Sequence, residues 1–295
     1  MGNIFILGTI GQDLIINENC NLLINGSALV DYSIYVTKFD SNGTCIWAAG
    51  VFHSQYLEPY MASLGNQNQY LSAQGSLVVD SDENVFVSSI LSSETSGSSW
   101  FHFNENGSVG FTHSGNSARI SFIAKISNTG SWEWAQKSTT MYESELALGP
   151  SGDIWMSSRP NYYSSTISRY NGTGDIQSTI QLSNIKVLDM SANSHDELYF
   201  VGFFENQASL AVNGSTQSIT ANTGMDAVFG KLDSNGNGLW LSGVTNSTST
   251  SYFSKIAINE FDEIFAIGSF YSDIEIGSVS LSTDGTRNSF LAKIN

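Results

Sequence analysis

The sequence is short of basic residues, proline, cysteine and long apolar runs, and each shortage narrows what the chain can be. Only 11 Lys and Arg stand against 27 Asp and Glu, giving a formal net charge of −16. No Lys/Arg cluster interrupts that balance, so a phosphate backbone is repelled and nucleic acid is not an expected partner. No apolar run approaches the roughly 18 residues that cross a bilayer, so no membrane span is expected. The short run Phe5 to Ile10 has no basic residue before it and no cleavage-like site after it, which argues against a signal peptide. Met1-Gly2 does not open a myristoylation signal, because Ile6 stands where Ser or Thr is needed. The start therefore reads as the inside of a longer repeat array. Charged residues make up only 13% of the chain, so the polar share falls to Ser, Thr and Asn, which favour turns and strand surfaces over exposed helices. With 41% apolar residues, 27 Gly and 3 Pro, a packed core is within reach and simple disorder is not expected.

The two cysteines, Cys20 and Cys45, lie 25 positions apart. Two readings stay open, a disulfide fitting an oxidising compartment and a pair of separate buried thiols, because spacing does not show whether the side chains meet.

Self-similarity is the informative feature. One segment, an apolar strand with a basic residue followed by a turn, recurs around Lys38, Lys125, Arg169, Lys231 and Lys293, at spacings of 87, 44, 62 and 62. In the fuller copies it reads Tyr35-Val36-Thr37-Lys38-Phe39-Asp40-Ser41-Asn42-Gly43 and Val228-Phe229-Gly230-Lys231-Leu232-Asp233-Ser234-Asn235-Gly236. Four positions after the turn glycine stand Trp47, Trp134 and Trp240, with Ser178 in the third copy. Strand, glycine turn and aromatic strand are hairpin grammar. A second segment carries an aromatic at its third position in all five copies: Phe5, Phe86, Trp155, Tyr199 and Phe265. Ahead of four of these lies a short apolar strand and a polar turn, as in Leu77-Val78-Val79-Asp80 and Ile256-Ala257-Ile258-Asn259.

One unit thus holds four core strands: small apolar, aromatic, basic and Trp. A sheet this small cannot bury both faces alone, whereas stacked copies cover one another; this predicts an all-β β-propeller of four-stranded blades in a single domain, 1–295. The units fall at about 1–50, 76–136, 144–182, 187–244 and 254–295, the first lacking its initial strand and the last its Trp strand. A five-bladed ring is favoured, with an open fragment of a six- to eight-bladed propeller as the alternative. Extra strand-like sequence in units one, two, four and five, such as Ser209 to Ser215 and Ile274 to Leu281, predicts hairpin insertions at one rim, absent from unit three.

These motifs resemble the SBBP family of bacterial and archaeal β-propeller repeats, whose pattern runs as an apolar strand, D-x-x-G-N-V-Y-V-T-G, then F-V-A-K-L-D-x-N-G-x-x-x-W. The likeness covers nearly the whole chain and is specific for the repeat. It implies a propeller in a secreted or cell-surface setting and carries no catalytic residue onto this sequence.

Candidate chemistry is sparse, and no catalytic residue or cofactor is assigned. His53, His102, His113 and His195 show no metal-ligand spacing, and no G-x-S-x-G elbow occurs. Two acidic turns place oxygens at alternate positions, Asp80, Asp82 and Asn84, and Asp233, Asn235 and Asn237. Both are weak calcium candidates; the second lacks the closing glutamate of a calcium loop, with Val244 in its place, and ordinary turn chemistry is preferred. The sequons at Asn25, Asn42, Asn106, Asn171, Asn213 and Asn246 read first as turn signals. Trp100, Phe101, Tyr162, Tyr163, Tyr252 and Phe253 could stack on sugar rings, although packing beneath loops is the preferred reading. The expectation is a non-catalytic adhesion or ligand-binding scaffold outside the cytoplasm with a protein or glycan ligand. Against it stand a polysaccharide hydrolase or lyase, using acids such as Asp82, Glu83, Glu143 or Glu145, and a purely structural segment.

Overall fold

A computed structural model describes residues 2–10, 14–22, 33–54, 75–92, 97–103, 108–115, 119–138, 142–161, 163–244 and 247–294. Every regular element among them is a β-strand, and no helix is present that could cross a membrane. The chain divides into two compact units, Met1–Thr139 and Thr140–Asn295.

Both units are built from antiparallel meanders whose strands follow the order expected of a propeller blade. In the first unit, Ser76–Val79, Val85–Ser92, Arg119–Ile126 and Trp132–Lys137 form one four-stranded sheet in sequence order. Ile4–Ile10, Ser33–Phe39 and Cys45–Gly50 form a three-stranded sheet of repeat one. A further small sheet joins Phe52–Ser54 to the hairpin Gly97–His102 and Gly110–Gly115. In the second unit, seven strands run continuously from Tyr142–Leu148 to Gly238–Gly243 and hold repeats three and four, while repeat five supplies Ser251–Ile258, Ile264–Phe270 and Asn288–Ile294.

The recurring residues occupy one register. Phe5 pairs with Lys38, Phe86 with Lys125, Trp155 with Arg169, Tyr199 with Lys231 and Phe265 with Lys293. The same row continues to Trp47, Trp134, Ser178 and Trp240 on the fourth strands. Directly opposed residues share a face, so each basic side chain lies between two ring-bearing positions wherever the fourth strand supplies a Trp.

Alternation of side chains gives each sheet two apolar faces, and sheets stack within each unit. Repeat one turns Val36, Trp47 and Ala49 toward Val85, Val87 and Ile126 of repeat two. Trp155 and Ile167 of repeat three pack against Leu198, Phe200 and Leu232 of repeat four. The opposite face of repeat four, with Tyr199, Val201 and Phe229, packs against Phe253, Ala266 and Phe290 of repeat five. Gly130 combines two demands: its φ of 88° suits a left-handed turn, and a Cβ there would sit 2.8 Å from the Trp47 ring of the neighbouring sheet.

The boundary between units three and four differs from the expectation. The fourth strand of repeat three and the first strand of repeat four are one strand, Ile176–Ala192. The strand bends at bulges, with Asn184 at φ 58° donating through its amide to the Gln207 carbonyl. In repeat four the extra sequence forms a hairpin continuous with the core strands. It prolongs Leu198–Val212 and Ser215–Leu232, which reverse at Asn213 and Gly214, both at positive φ. Repeat five does carry a separate hairpin, Ile274–Ile276 with Val279–Leu281. In repeat one Leu14–Asn17 pairs with Cys20–Leu22, and a Cys20–Cys45 disulfide, with a Cα separation of 6.2 Å, ties that hairpin to the fourth strand.

Candidate functional site

The repeated row builds a basic residue over an aromatic ring. The ammonium of Lys38 lies 5.5 Å from the Phe5 centroid, Lys125 5.7 Å from Phe86, Lys231 5.0 Å from Tyr199 and Lys293 5.9 Å from Phe265; the Arg169 guanidinium lies 5.7 Å from Trp155. Each cation also holds a carboxylate. Arg169 pairs with Asp153, Lys231 with Glu197 at 2.7 Å and Lys293 with Glu263 at 2.5 Å, the acid in each case standing two residues before the ring. Lys125 instead takes Glu133, and Lys38 reaches Glu83 of repeat two. These five cations are thus occupied by the scaffold. The acids were missed in the sequence, where three of the five copies already carry Asp or Glu at that position.

The turns between first and second strands are alike. In Asp80–Asn84, Gly149–Asp153, Asn193–Glu197 and Asn259–Glu263, the first residue bonds the fifth through its N–H and accepts from the fourth. That fourth residue is left-handed, as Glu83 at φ 63°, Gly152 at 86°, Asp196 at 59° and Asp262 at 58°. The side chains of Asp80, Asn193 and Asn259 accept the third and fifth N–H groups, locking the loop. The calcium candidates therefore already serve their own turns: Asp80 accepts from Asp82, Asn84 and the Asn84 amide, and Asp233 does the same for Asn235 and Asn237. No cluster of three His, Cys, Asp or Glu suited to a metal occurs among the described residues.

In the second unit the three turns join into a surface. Asp196 accepts the Ser151 N–H at 3.0 Å, and Asp262 accepts both the N–H of Ser194 at 2.9 Å and its hydroxyl at 2.5 Å. Between them lies a shallow, open hollow of about 370 Å³ lined by Leu148, Pro150, Ala192, Asn193, Ile258 and Glu260. The third residue of two of these turns projects a flat side chain outward: His195 has a side chain 73% exposed and Phe261 is 76% exposed.

Ser194, His195 and Asp262 are near one another without forming a nucleophile relay. The Ser194 hydroxyl and the Asp262 carboxylate both meet the same ring nitrogen, His195 Nδ1, at 3.1 and 3.3 Å, and the serine bonds Asp262 directly. A relay needs the imidazole between hydroxyl and carboxylate, one on each nitrogen. The Ser194 hydroxyl and N–H, followed by the His195 charge, hold Asp262 below the usual carboxylate range.

The other sequence candidates scatter. Glu83 accepts from Lys38 and Asn3 in the first unit, while Glu145 lies on the first strand of repeat three. Phe253 is buried in the core, Tyr252 accepts from Arg287 through its hydroxyl, and Tyr163 is exposed. The side chains of His53, His102, His113, Trp100, Phe101 and Glu143, and all of Tyr162, Asn25, Asn106 and Asn246, lie outside the described residues. Asn42, Asn171 and Asn213 sit in turns.

Sheet order, register and stacking define an all-β protein of β-propeller type. Similar solved structures include one described as the Dos1 propeller, at 10% identity over 84% of this chain and 73% of that one with a TM-score of 0.31. Another is the polysaccharide lyase Uly1, at 9% identity over 89% of this chain and 66% of that one with a TM-score of 0.35. Likenesses this shallow carry no argument about activity. No protein-family model and no curated protein matches the chain.

Proposed function

We propose that this chain is a non-catalytic binding or adhesion scaffold, a diverged relative of the SBBP-type repeats working outside the cytoplasm, and that it takes a neutral glycan at the joined turns of the second unit. The observation that carries the reading is the pair of exposed flat side chains, His195 and Phe261, in the turns that edge the hollow. The third position of such a turn needs no aromatic, and repeat three has Ser151 there. His195 and Phe261 stand beside the hollow without lining it, and exposed flat side chains next to a mixed apolar and polar surface suit a sugar ring, whose faces are apolar and whose rim is polar. A chain of net charge −16 repels polyanions, which favours neutral sugars. The Cys20–Cys45 disulfide supports an oxidising compartment.

A glycan array probed with the whole chain tests this directly. Neutral oligosaccharides are retained, and Phe261→Ala lowers the affinity by about tenfold, the loss of one stacking contact. An empty array, or binding indifferent to both Phe261→Ala and His195→Ala, defeats the proposal.

A further inference from the structure

We infer that Asn213 is a site of self-modification, at which the backbone nitrogen of Gly214 displaces ammonia from the Asn213 carboxamide and leaves an aspartyl or isoaspartyl residue. The site belongs to repeat four, the middle one of the three repeats in the second unit, and depends on local bonds alone. Three conditions govern such a reaction. The attacking N–H must be free to give up its proton, the carboxamide must be free to turn toward it, and the following residue must lack a side chain in the path of approach. Glycine meets the last condition, so every Asn-Gly pair is a candidate and the fold decides among them.

Five Asn-Gly pairs lie among the described residues, and four of them are held. At Asn42 and Asn235 the turn engages the nucleophile: the Gly43 N–H donates to the Asp40 carbonyl and the Gly236 N–H to the Asp233 carbonyl, both at 3.0 Å. At Asn171 and Asn237 the carboxamide itself is engaged. Asn171 accepts the N–H groups of Thr173 and Asp175 and donates to the Asp175 carboxylate, while Asn237 donates to the Asp233 carboxylate at 2.9 Å. Gly236 and Gly238 are also crowded, since a Cβ would lie 2.5 Å from the Ser178 hydroxyl at the first and 2.2 Å from the Ala211 carbonyl oxygen at the second.

Asn213 and Gly214 differ on each count. They form the exposed tip where Leu198–Val212 and Ser215–Leu232 reverse, at φ 48° and 76°. Neither the Asn213 carboxamide nor the Gly214 N–H has a hydrogen-bond partner among the described residues. A Cβ built on Gly214 meets nothing within 4 Å, so water and base reach the tip freely. The pairing of Val212 with Ser215 holds the reversal from below, and Asn213 turns toward Gly214 without breaking a bond of its own.

The atoms balance with water as the only co-reactant. The Gly214 nitrogen loses its proton to solvent base and bonds to Asn213 Cγ, the carboxamide C–N bond breaks, and ammonia leaves with that proton replaced from solvent. Water then opens the five-membered ring at either carbonyl, giving aspartate or isoaspartate. The product changes the character of the hairpin. No Asp, Glu, Lys or Arg occurs from Asn206 to Met225, so the new carboxylate is the first charge in that stretch, and the isoaspartyl form adds a methylene to the main chain at the reversal. Below the tip the hairpin stays clamped, because the Gln217 carboxamide donates to the Leu241 carbonyl at 2.7 Å and accepts its N–H at 2.9 Å.

Incubation of the whole chain at mildly alkaline pH, followed by digestion and peptide mass mapping, tests the inference. Asn213 converts first of the five, about two- to tenfold ahead of Asn42 and Asn235, the rate ratio that one net hydrogen bond supplies. Its peptide splits chromatographically into aspartyl and isoaspartyl forms. In urea the five rates draw together, because the bonds that held the other four are gone. Conversion of Asn213 no faster than the four held residues in the folded chain overturns the inference. A lead for Asn213 that urea leaves unchanged overturns it equally, since the cause would then be the neighbouring sequence and not the fold.

Discussion

At the scale of residues, the repeat is a rule about which side chains may stand opposite one another. A cation over a ring contributes about 0.5–1 kcal/mol at exposed sites and more when partly desolvated. Lys231 sits over Tyr199 with a side chain 17% exposed and pairs with Glu197; burial pushes the Glu197 carboxyl up, and hydrogen bonds from Lys231 and Asn193 outweigh it, leaving it below the usual range. Lys231→Met is therefore expected to lower stability by about 1–2 kcal/mol in urea unfolding. The same change at Lys293, with its half-exposed side chain, gives a smaller loss. The glycine three residues after the aromatic in repeats four and five follows a different rule. Gly202 faces a bulge between Val187 and Asp189, and a Cβ there would lie 1.9 Å from the Lys186 carbonyl oxygen. Gly268 repeats the arrangement opposite the bulge between Phe253 and Lys255, with the Tyr252 carbonyl at 2.3 Å. Gly202→Ala is expected to cost about 3 kcal/mol or more, since backbone must shift, with the loss read as a fall in the urea midpoint.

At the scale of elements, what was legible in the sequence was whatever local chemistry dictates. The aromatic, basic and Trp positions were readable because a row across a sheet repeats at fixed offsets within each strand, and the turns because Asp, Asn and Gly announce them. The strand Ile176–Ala192 was not, because Ser183-Asn184 signals a reversal between blades, whereas the chain only bends there, with Asn184 at positive φ within one continuous strand. Nor was the joined-turn surface, since Asp262 meets Ser194 across 68 positions that only stacking brings together. The link between repeats four and five hides a similar contact. Asp226, fully buried, accepts the Asn222 N–H at 3.0 Å and faces the Ser251 hydroxyl, which itself accepts the Ala227 N–H. Burial raises its pKa above the ordinary value, against these hydrogen bonds. A raised carboxyl favours the fold below its unfolded pKa and loses that contribution as pH climbs through the folded one. Asp226→Asn is thus expected to be more resistant to urea than the parent at pH 7, the gap closing toward pH 4 as the parent takes up its proton.

At the scale of the whole molecule, Asp226 is outnumbered. Glu83 is held below its ordinary pKa by Lys38, Asp262 by Ser194 and Glu263 by Lys293 and Asn259, while Asp233 is pushed up by burial and drawn down further by Asn237 and its turn N–H groups. Glu197 belongs with them. For a lowered carboxyl the sign reverses: its contribution is present above the unfolded value, 4.5 for Glu and 3.8 for Asp, and is lost as pH falls through the lower folded value. Net stability is therefore expected to fall as pH drops below about 4.5, with the larger number of lowered groups setting the direction. Relief of the −16 net charge acts the other way, since protonation reduces self-repulsion. Salt separates the two, because screening weakens long-range repulsion between exposed charges more than it weakens a bonded contact such as Lys231 with Glu197. In urea unfolding between pH 7 and pH 3, the fall in midpoint is expected to persist and steepen in 0.5 M salt, where little repulsion is left to relieve. A midpoint that rises on acidification at high salt would show that the turn carboxylates add nothing to the joints they bridge.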